Sequence, residues 1–256
     1  MNSAGKAQQL RARKGRQRIA ALTAYDYPMA RLLDDAGMDV LLVGDSLGMV
    51  VLGFPDTTHV TLEHMMHHTA AVARANPRAM VLGDLPIHTY DDPDQALISA
   101  RQLITAGADA VKLEGGEEKA SIVRILRDAG IEVVGHIGML PQQVVEEGGY
   151  RKKGKTSAAA DQLLMDAQAL EKAGVCALVL ESIVPEVSAR VTAAVGIPTI
   201  GIGCGESTCD GEVAVITDLL GSYPWFVPPF ARPEADLASV IREAARAYRK
   251  RVSLQG

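Results

Sequence analysis

The chain has 256 residues, of which 48% are apolar and only 4% aromatic; its core must therefore be built from Val, Ile, Leu, Ala and Met, which suits parallel strands buried on both faces. A net charge of -5 argues against nucleic acid as the main partner. The most apolar stretch, residues 40–53, is broken by Asp45 and is too short and polar to span a bilayer.

The chain opens with a basic cluster, Lys6, Arg11, Arg13, Lys14, Arg16 and Arg18. It lacks the apolar run of a secretory signal, so we read residues 1 to about 18 as a solvated arm. Short β-branched runs then alternate with longer Ala/Leu-rich runs of helical spacing. Strands are predicted at 19–23, 40–43, 79–82, 110–113, 133–135, 177–180 and 199–202, with an eighth candidate at 213–216. Helices are predicted at 27–36, 62–75, 94–106, 118–129, 158–173 and 185–194. Thr61 is placed to cap the second of these and Pro93 to open the third. Gly37, Gly107, Gly130 and Gly174 stand where left-handed C-caps are expected. Repeated strand–helix alternation means a parallel α/β fold, and the length is close to the ~250 residues of one (β/α)8 barrel. We therefore expect a single TIM-barrel domain over residues 1–256. The loop 148–157, with two glycines inside it and four basic residues, is a lid or a plain solvated loop. The segment 223–230 (YPWFVPPF) is a buried connection or a subunit contact, and residues 233–254 read as a last helix.

Chemistry-capable residues fall at the ends of the predicted strands. Asp45 and Ser46 close VLLVGDS, Asp84 closes AMVLGD, Lys112 and Glu114 lie in AVKLEGG, His136 in VVGHIG and Glu181 in ALVLES. That face carries the active sites of such barrels. Asp45, Asp84 and Glu114 come from successive strands ~4.8 Å apart, and three carboxylates so close repel one another unless a cation joins them. Oxygen ligands favour Mg²⁺; the alternative is that each acid pairs with a nearby Lys or Arg. Lys112 and Glu114, two residues apart, share a face. Lys112 neutralises Glu114 structurally or, with Ser46, holds a substrate carboxylate; Glu181, two strands further round and separate from the three acids, is a general base or half of a strand-end salt bridge. His136 is a candidate for orienting substrate or ligands. His64, His67 and His68 have the spacing of a helical zinc face but lack a fourth ligand. Gly201–Gly205 (GIGCG) is a phosphate cup or a tight turn. Cys176, Cys204 and Cys209 show no CxxC spacing, which makes neither a disulfide framework nor a zinc ribbon and fits a reducing cytoplasm.

The blocks TAYDY (23–27), LLVGDSLGMVVLG (41–53), VKLEGG (111–116), GHIGMLPQ (135–142), LVLES (178–182) and IPTIGIGCG (197–205) stand in an order that resembles the ketopantoate hydroxymethyltransferase family. The resemblance implies transfer of a hydroxymethyl group from 5,10-methylenetetrahydrofolate to 3-methyl-2-oxobutanoate, giving 2-dehydropantoate on the way to pantothenate and coenzyme A. It implies Mg²⁺ held by Asp45, Asp84 and Glu114, keto-acid contacts from Asp45, Ser46, Asp84 and Lys112, and Glu181 as proton acceptor. It also implies a large homo-oligomer, often a decamer. Two departures are visible: Cys204 replaces a usual Ala in a loop one residue longer, and Pro185 comes one place late. Both bear on cosubstrate contacts rather than on the acids. Rival readings are an Mg²⁺ enolate enzyme of the phosphoenolpyruvate mutase/isocitrate lyase type and a barrel that has lost catalysis and serves as a scaffold.

Overall fold

A computed structural model of the chain describes residues 3–205 and 207–254. Met1 and Asn2 of the basic arm, Glu206 of the loop between Cys204 and Cys209, and residues 255 and 256 lie outside the described residues. The chain divides into two compact units, with the boundary after Val213.

The first unit runs α1 (Ser3–Ala12), β1 (Ile19–Thr23), α2 (Tyr27–Asp35), β2 (Val40–Val43), α3 (Leu47–Val50), α4 (Leu62–Ala73), β3 (Met80–Asp84), α5 (Pro93–Ala106), β4 (Ala110–Glu114), α6 (Ala120–Asp128), β5 (Glu132–Gly138), α7 (Ser157–Ala173), β6 (Ala177–Glu181), α8 (Pro185–Ala194) and β7 (Thr199–Ile202), and reaches β8 (Gly211–Ala214). Each strand pairs in parallel with the next, and the eight close in chain order. The fold is the expected (β/α)8 barrel.

The helix ends follow from side chains. Thr61 accepts the His64 N–H while the His64 ring accepts the Thr61 N–H, a reciprocal cap. Asp26, Asp92 and Thr156 cap α2, α5 and α7 one way, accepting the N–H of Met29, Gln95 and Ala159. The strand expected at 213–216 begins two residues earlier. At Gly211 a Cβ would lie 2.4 Å from the Ile19 carbonyl oxygen, so only glycine lets β8 approach β1 there. The sequence signal misleads because glycine ordinarily marks a turn.

The basic arm is solvated only in part: Arg16 and Arg18 are exposed, but the stretch before them is docked. Residues 3–12 form α1, whose Ala7 and Leu10 are buried in one core cluster with Ile19, Val40, Met80, Ala110, Val134, Ala177, Ile200 and Val213. These lie in the early parts of the strands, so α1 plugs the N-terminal mouth of the barrel. Its cations, and those just after it, meet acids at strand starts. Lys6 pairs with Asp109 (2.8 Å), Arg11 with Glu132 (2.9 Å), Arg13 with Asp39 (2.6 Å) and Lys14 with Asp210 (2.9 Å). Three of those acids also accept a backbone N–H from the start of the preceding strand: Asp39 from Ala20, Asp109 from Val81 and Asp210 from Thr199.

The second unit holds α9 (Ile216–Leu219) and α10 (Leu237–Ser253), shorter at both ends than the expected 233–254. Glu234 and Leu237 N–H groups donate to the Leu219 and Leu220 carbonyls. Gly221, at φ +60°, passes so close to Ala235 that a Cβ would lie 2.3 Å from its oxygen. Trp225 is 77% exposed, and Phe226, Val227 and Phe230 are also exposed, so residues 223–230 are not a buried connection.

Candidate active site

The parallel register sets the site. Asp84 stands beside Lys112 and Glu114 beside His136, with Val179 on the far side of His136 and Gly138 level with Glu181. Side chains alternate along a strand. A Cβ on Gly83 would point at Thr69, Leu103 and Ala108, and one on Gly135 at Leu170 and Leu178. Those glycines face the helices, so Asp84 and His136 face the barrel axis. Asp45, Asp84, Lys112, Glu114 and His136 are all buried, while the Glu181 side chain keeps 14% exposure. Every sequence-predicted site residue thus stands at the C-terminal ends of β2 to β6.

The Asp84 Oδ2 accepts the Asp45 N–H (3.0 Å) and lies 3.3 Å from Lys112 Nζ. A Cβ on Gly44 would lie 3.0 Å from Ser46 Oγ, so glycine there leaves room for the serine hydroxyl. Lys112 is 3.9 Å from Glu114 Oε1. The Ser46 hydroxyl is hydrogen-bonded to that of Tyr25 (2.9 Å). Glu181 reaches the acid group through a third side chain. The His136 ring lies between them, with Nδ1 3.5 Å from Glu114 Oε1 and Nε2 3.3 Å from Glu181 Oε2.

Charges in this pocket are set against one another. Burial, then the carboxylates of Asp84 and Glu114, raise the pKa of Asp45. Burial raises that of Asp84 despite Lys112. Burial opposes ionisation of Glu114, but His136, Lys112 and the Gln142 N–H outweigh it and lower its pKa. Burial also opposes the Lys112 ammonium, yet Asp84, Glu114 and Asp45 overcome this and raise its pKa. For His136, burial and Lys112 are overcome by Glu114 and Glu181, giving a pKa of about 9. Lys112 has only N–H donors, so its 3.2 Å contact with Nδ1 holds for the neutral ring protonated on Nε2, toward Glu181.

Asp84 Oδ1 and Glu114 Oε1 are buried acceptors with no hydrogen-bond partner. Two such oxygens in one acid cluster fit a hard cation. Among the described residues no three His, Cys, Asp or Glu side chains already converge as a complete ligand set; the acids are joined through Lys112 and Gln142 instead.

Gln142 and Tyr90 escaped the sequence reading. Gln142 is buried and donates to Asp45 Oδ2 (2.8 Å) and the Leu85 carbonyl (3.0 Å). The Tyr90 hydroxyl donates to Gln142 Oε1. The available signal was Gln142 closing GHIGMLPQ, a neutral residue whose partners come from other strands. The loop at 148–157 is tied down rather than free: Lys153 N–H donates to the Ser182 carbonyl and its carbonyl accepts from Val184. Lys153 also pairs with Glu147, and Ser182 takes a left-handed φ of +49° just after Glu181, a strained position for a non-glycine.

The other candidates fall elsewhere. The His64 ring caps α4 and His68 Nδ1 faces the Tyr25 carbonyl at 2.6 Å, so the helical zinc face is occupied otherwise. In GIGCG, Gly201 lies in β7 where a Cβ would be 2.9 Å from Cys209 Sγ, and Gly203 and Gly205 take left-handed φ of +66° and +92° in the turn after it. All three cysteines are free and buried.

Fold and site together define a (β/α)8-barrel enzyme with an acid-rich, lysine-containing mouth. The family model of ketopantoate hydroxymethyltransferase matches residues 5–255. The chain is 51% identical over 240 residues to the 3-methyl-2-oxobutanoate hydroxymethyltransferase of Ignicoccus hospitalis, covering 93% of this chain and 90% of that one. It is 52% identical over 238 residues to the protein of the same name in Dehalococcoides mccartyi, covering 92% and 84%. Among solved structures it is similar to phosphoenolpyruvate phosphomutase from Streptomyces platensis, with a TM-score of 0.65, 16% identity and coverage of 96% and 87%; that likeness concerns the fold. The chain belongs to the ketopantoate hydroxymethyltransferase family.

Proposed function

We propose that this enzyme transfers the one-carbon unit of 5,10-methylenetetrahydrofolate to 3-methyl-2-oxobutanoate, giving 2-dehydropantoate for pantothenate synthesis. The observation that carries the reading is the gathering of Asp45, Asp84, Lys112, Glu114, His136 and Glu181 at one end of the barrel, in a chain of this family.

Lys112 and Ser46 hold the keto-acid carboxylate, Lys112 as a buried point charge and Ser46 as a donor kept in place by Tyr25. Glu181, the most exposed of the acids, takes the C3 proton; a positioned base contributes ~10²–10⁴-fold. His136 Nε2 lies 3.3 Å from one Glu181 oxygen, which leaves the other for the substrate. Carbon C3 then bonds to the methylene carbon, whose two bonds to folate nitrogens break; water supplies the hydroxyl oxygen, and the nitrogens take up one water proton and the proton removed from C3, so that tetrahydrofolate leaves. Asp45, Asp84 and Glu114 would hold Mg²⁺, which when bound supplies Lewis-acid stabilisation of developing negative charge on the keto oxygen. The unpartnered oxygens of Asp84 and Glu114 support that assignment. Arg151, Lys152 and Lys155 are exposed and are candidates for the acidic tail of the folate, whereas Lys153 is already paired.

The exposed run at 225–230 supports assembly as a homo-oligomer, up to a decamer as the resemblance implies, since contiguous exposed apolar surface marks interaction sites. Among the described residues no helix is long and apolar enough to cross a membrane, and the free thiols support a cytoplasmic setting. The test is formation of 2-dehydropantoate from the two substrates with Mg²⁺. Turnover by the parent and its loss in Glu181→Gln support the reading. No product with either protein would overturn it.

A further inference from the structure

We infer that Gln142, with Tyr90 behind it, is the positioning residue that fixes how Asp45 and Glu114 face the cation; this rests on the reading of those acids as its ligands. Gln142 lies in the 3₁₀ turn Pro141–Gln143 after β5 and is 3% exposed; Tyr90 is 5% exposed. Each link between them has one possible polarity. The Leu85 carbonyl can only accept, so the Gln142 amide nitrogen must face it, and the same nitrogen donates to Asp45 Oδ2. The amide oxygen is then left to accept, and the Tyr90 O–H supplies its proton. The Tyr90 oxygen in turn accepts the Glu114 N–H (3.3 Å), and the Gln142 backbone N–H donates to Glu114 Oε2 (3.1 Å). The circuit joins the ends of β2, β3 and β4 through one loop residue.

Its consequence is directional. One oxygen of Asp45 and one of Glu114 are held by Gln142, and the remaining Glu114 oxygen is among the buried acceptors without a partner. The Lys119 ammonium lies 5.0 Å from the Tyr90 ring centroid and packs the tyrosine in place from the other side. Partners that orient ligands in this way typically govern metal affinity by 10–100-fold.

The experiment is calorimetric titration of the full chain with Mg²⁺ in the absence of keto acid, for the parent, Gln142→Ala and Tyr90→Phe, with the melting temperature of each metal-free protein. Gln142→Ala is expected to weaken Mg²⁺ binding by roughly 10–100-fold, with turnover recovered at high Mg²⁺. Tyr90→Phe, which frees the amide to turn and takes the acceptor from the Glu114 N–H but leaves Gln142 in place, is expected to weaken it less. Parent-like affinity in a folded Gln142→Ala, with only a lower melting temperature, would overturn the positioning role and leave the acids as ligands. If Gln142→Ala does not fold, parent-like affinity in Tyr90→Phe overturns it equally. A parent that binds no Mg²⁺ would sink the reading of the acids and this inference together.

Discussion

His136 Nε2 stands 3.3 Å from Glu181 Oε2, and the opposite ring nitrogen is 3.2 Å from Lys112 Nζ. One imidazole thus connects the proposed base to the lysine proposed to hold the substrate. Replacing it with leucine removes both contacts while leaving both charged groups. His136→Leu is expected to lower kcat by on the order of 10²-fold, the typical cost of a mispositioned reacting group, with Mg²⁺ affinity affected less. Steady-state kinetics alongside Mg²⁺ titration checks this; an unchanged kcat would remove His136 from the site.

Tyr25 meets the site at Ser46, hydroxyl to hydroxyl at 2.9 Å. Tyr25→Phe keeps the ring and removes the hydroxyl that holds the serine. A higher KM for the keto acid is expected, with kcat changed little. A purely structural tyrosine would instead alter the melting temperature and leave KM alone.

At the opposite mouth, Glu132 accepts both Arg11 and Arg127. Glu132→Gln removes the charge from two charge-assisted contacts and should cost about 2 kcal/mol of stability. Residues at that face serve stability rather than chemistry. Denaturant unfolding should therefore show the loss while kcat/KM stays at the parent value.

Asp218 gives a pH dependence with a defined sign. Burial raises its pKa from 3.8 to about 6. The folded protein favours the neutral carboxyl, so its stabilising effect is complete below the unfolded value and is lost as pH rises through the folded one. Asp218→Asn stays neutral throughout. Its melting temperature should match the parent near the lower value and exceed it increasingly up to about pH 7. A constant difference across that range would contradict the assignment.

The barrel and most of the site could be read from the sequence because a carboxylate inside a β-branched run has few structural uses. Asp84, Lys112, Glu114 and His136 each interrupt such a run, and each faces the barrel interior. The α1 plug could not be read the same way. Ala7 and Leu10 are a thin apolar signal, and the acids that neutralise Lys6, Arg11 and Lys14 lie more than 100 residues away in sequence. Gln142 and Tyr90 were hidden for a related reason. Neutral polar residues in loops are ordinary, and only the closed barrel brings them against Asp45 and Glu114.

Removal of the C3 proton of 3-methyl-2-oxobutanoate by Glu181 is tested most directly by proton NMR of that keto acid in D₂O with enzyme and Mg²⁺. The parent should lose the C3–H signal, EDTA should stop the loss, and Glu181→Gln should slow it by roughly 10²–10⁴-fold while still binding Mg²⁺. Exchange in Glu181→Gln at the parent rate would contradict the claim.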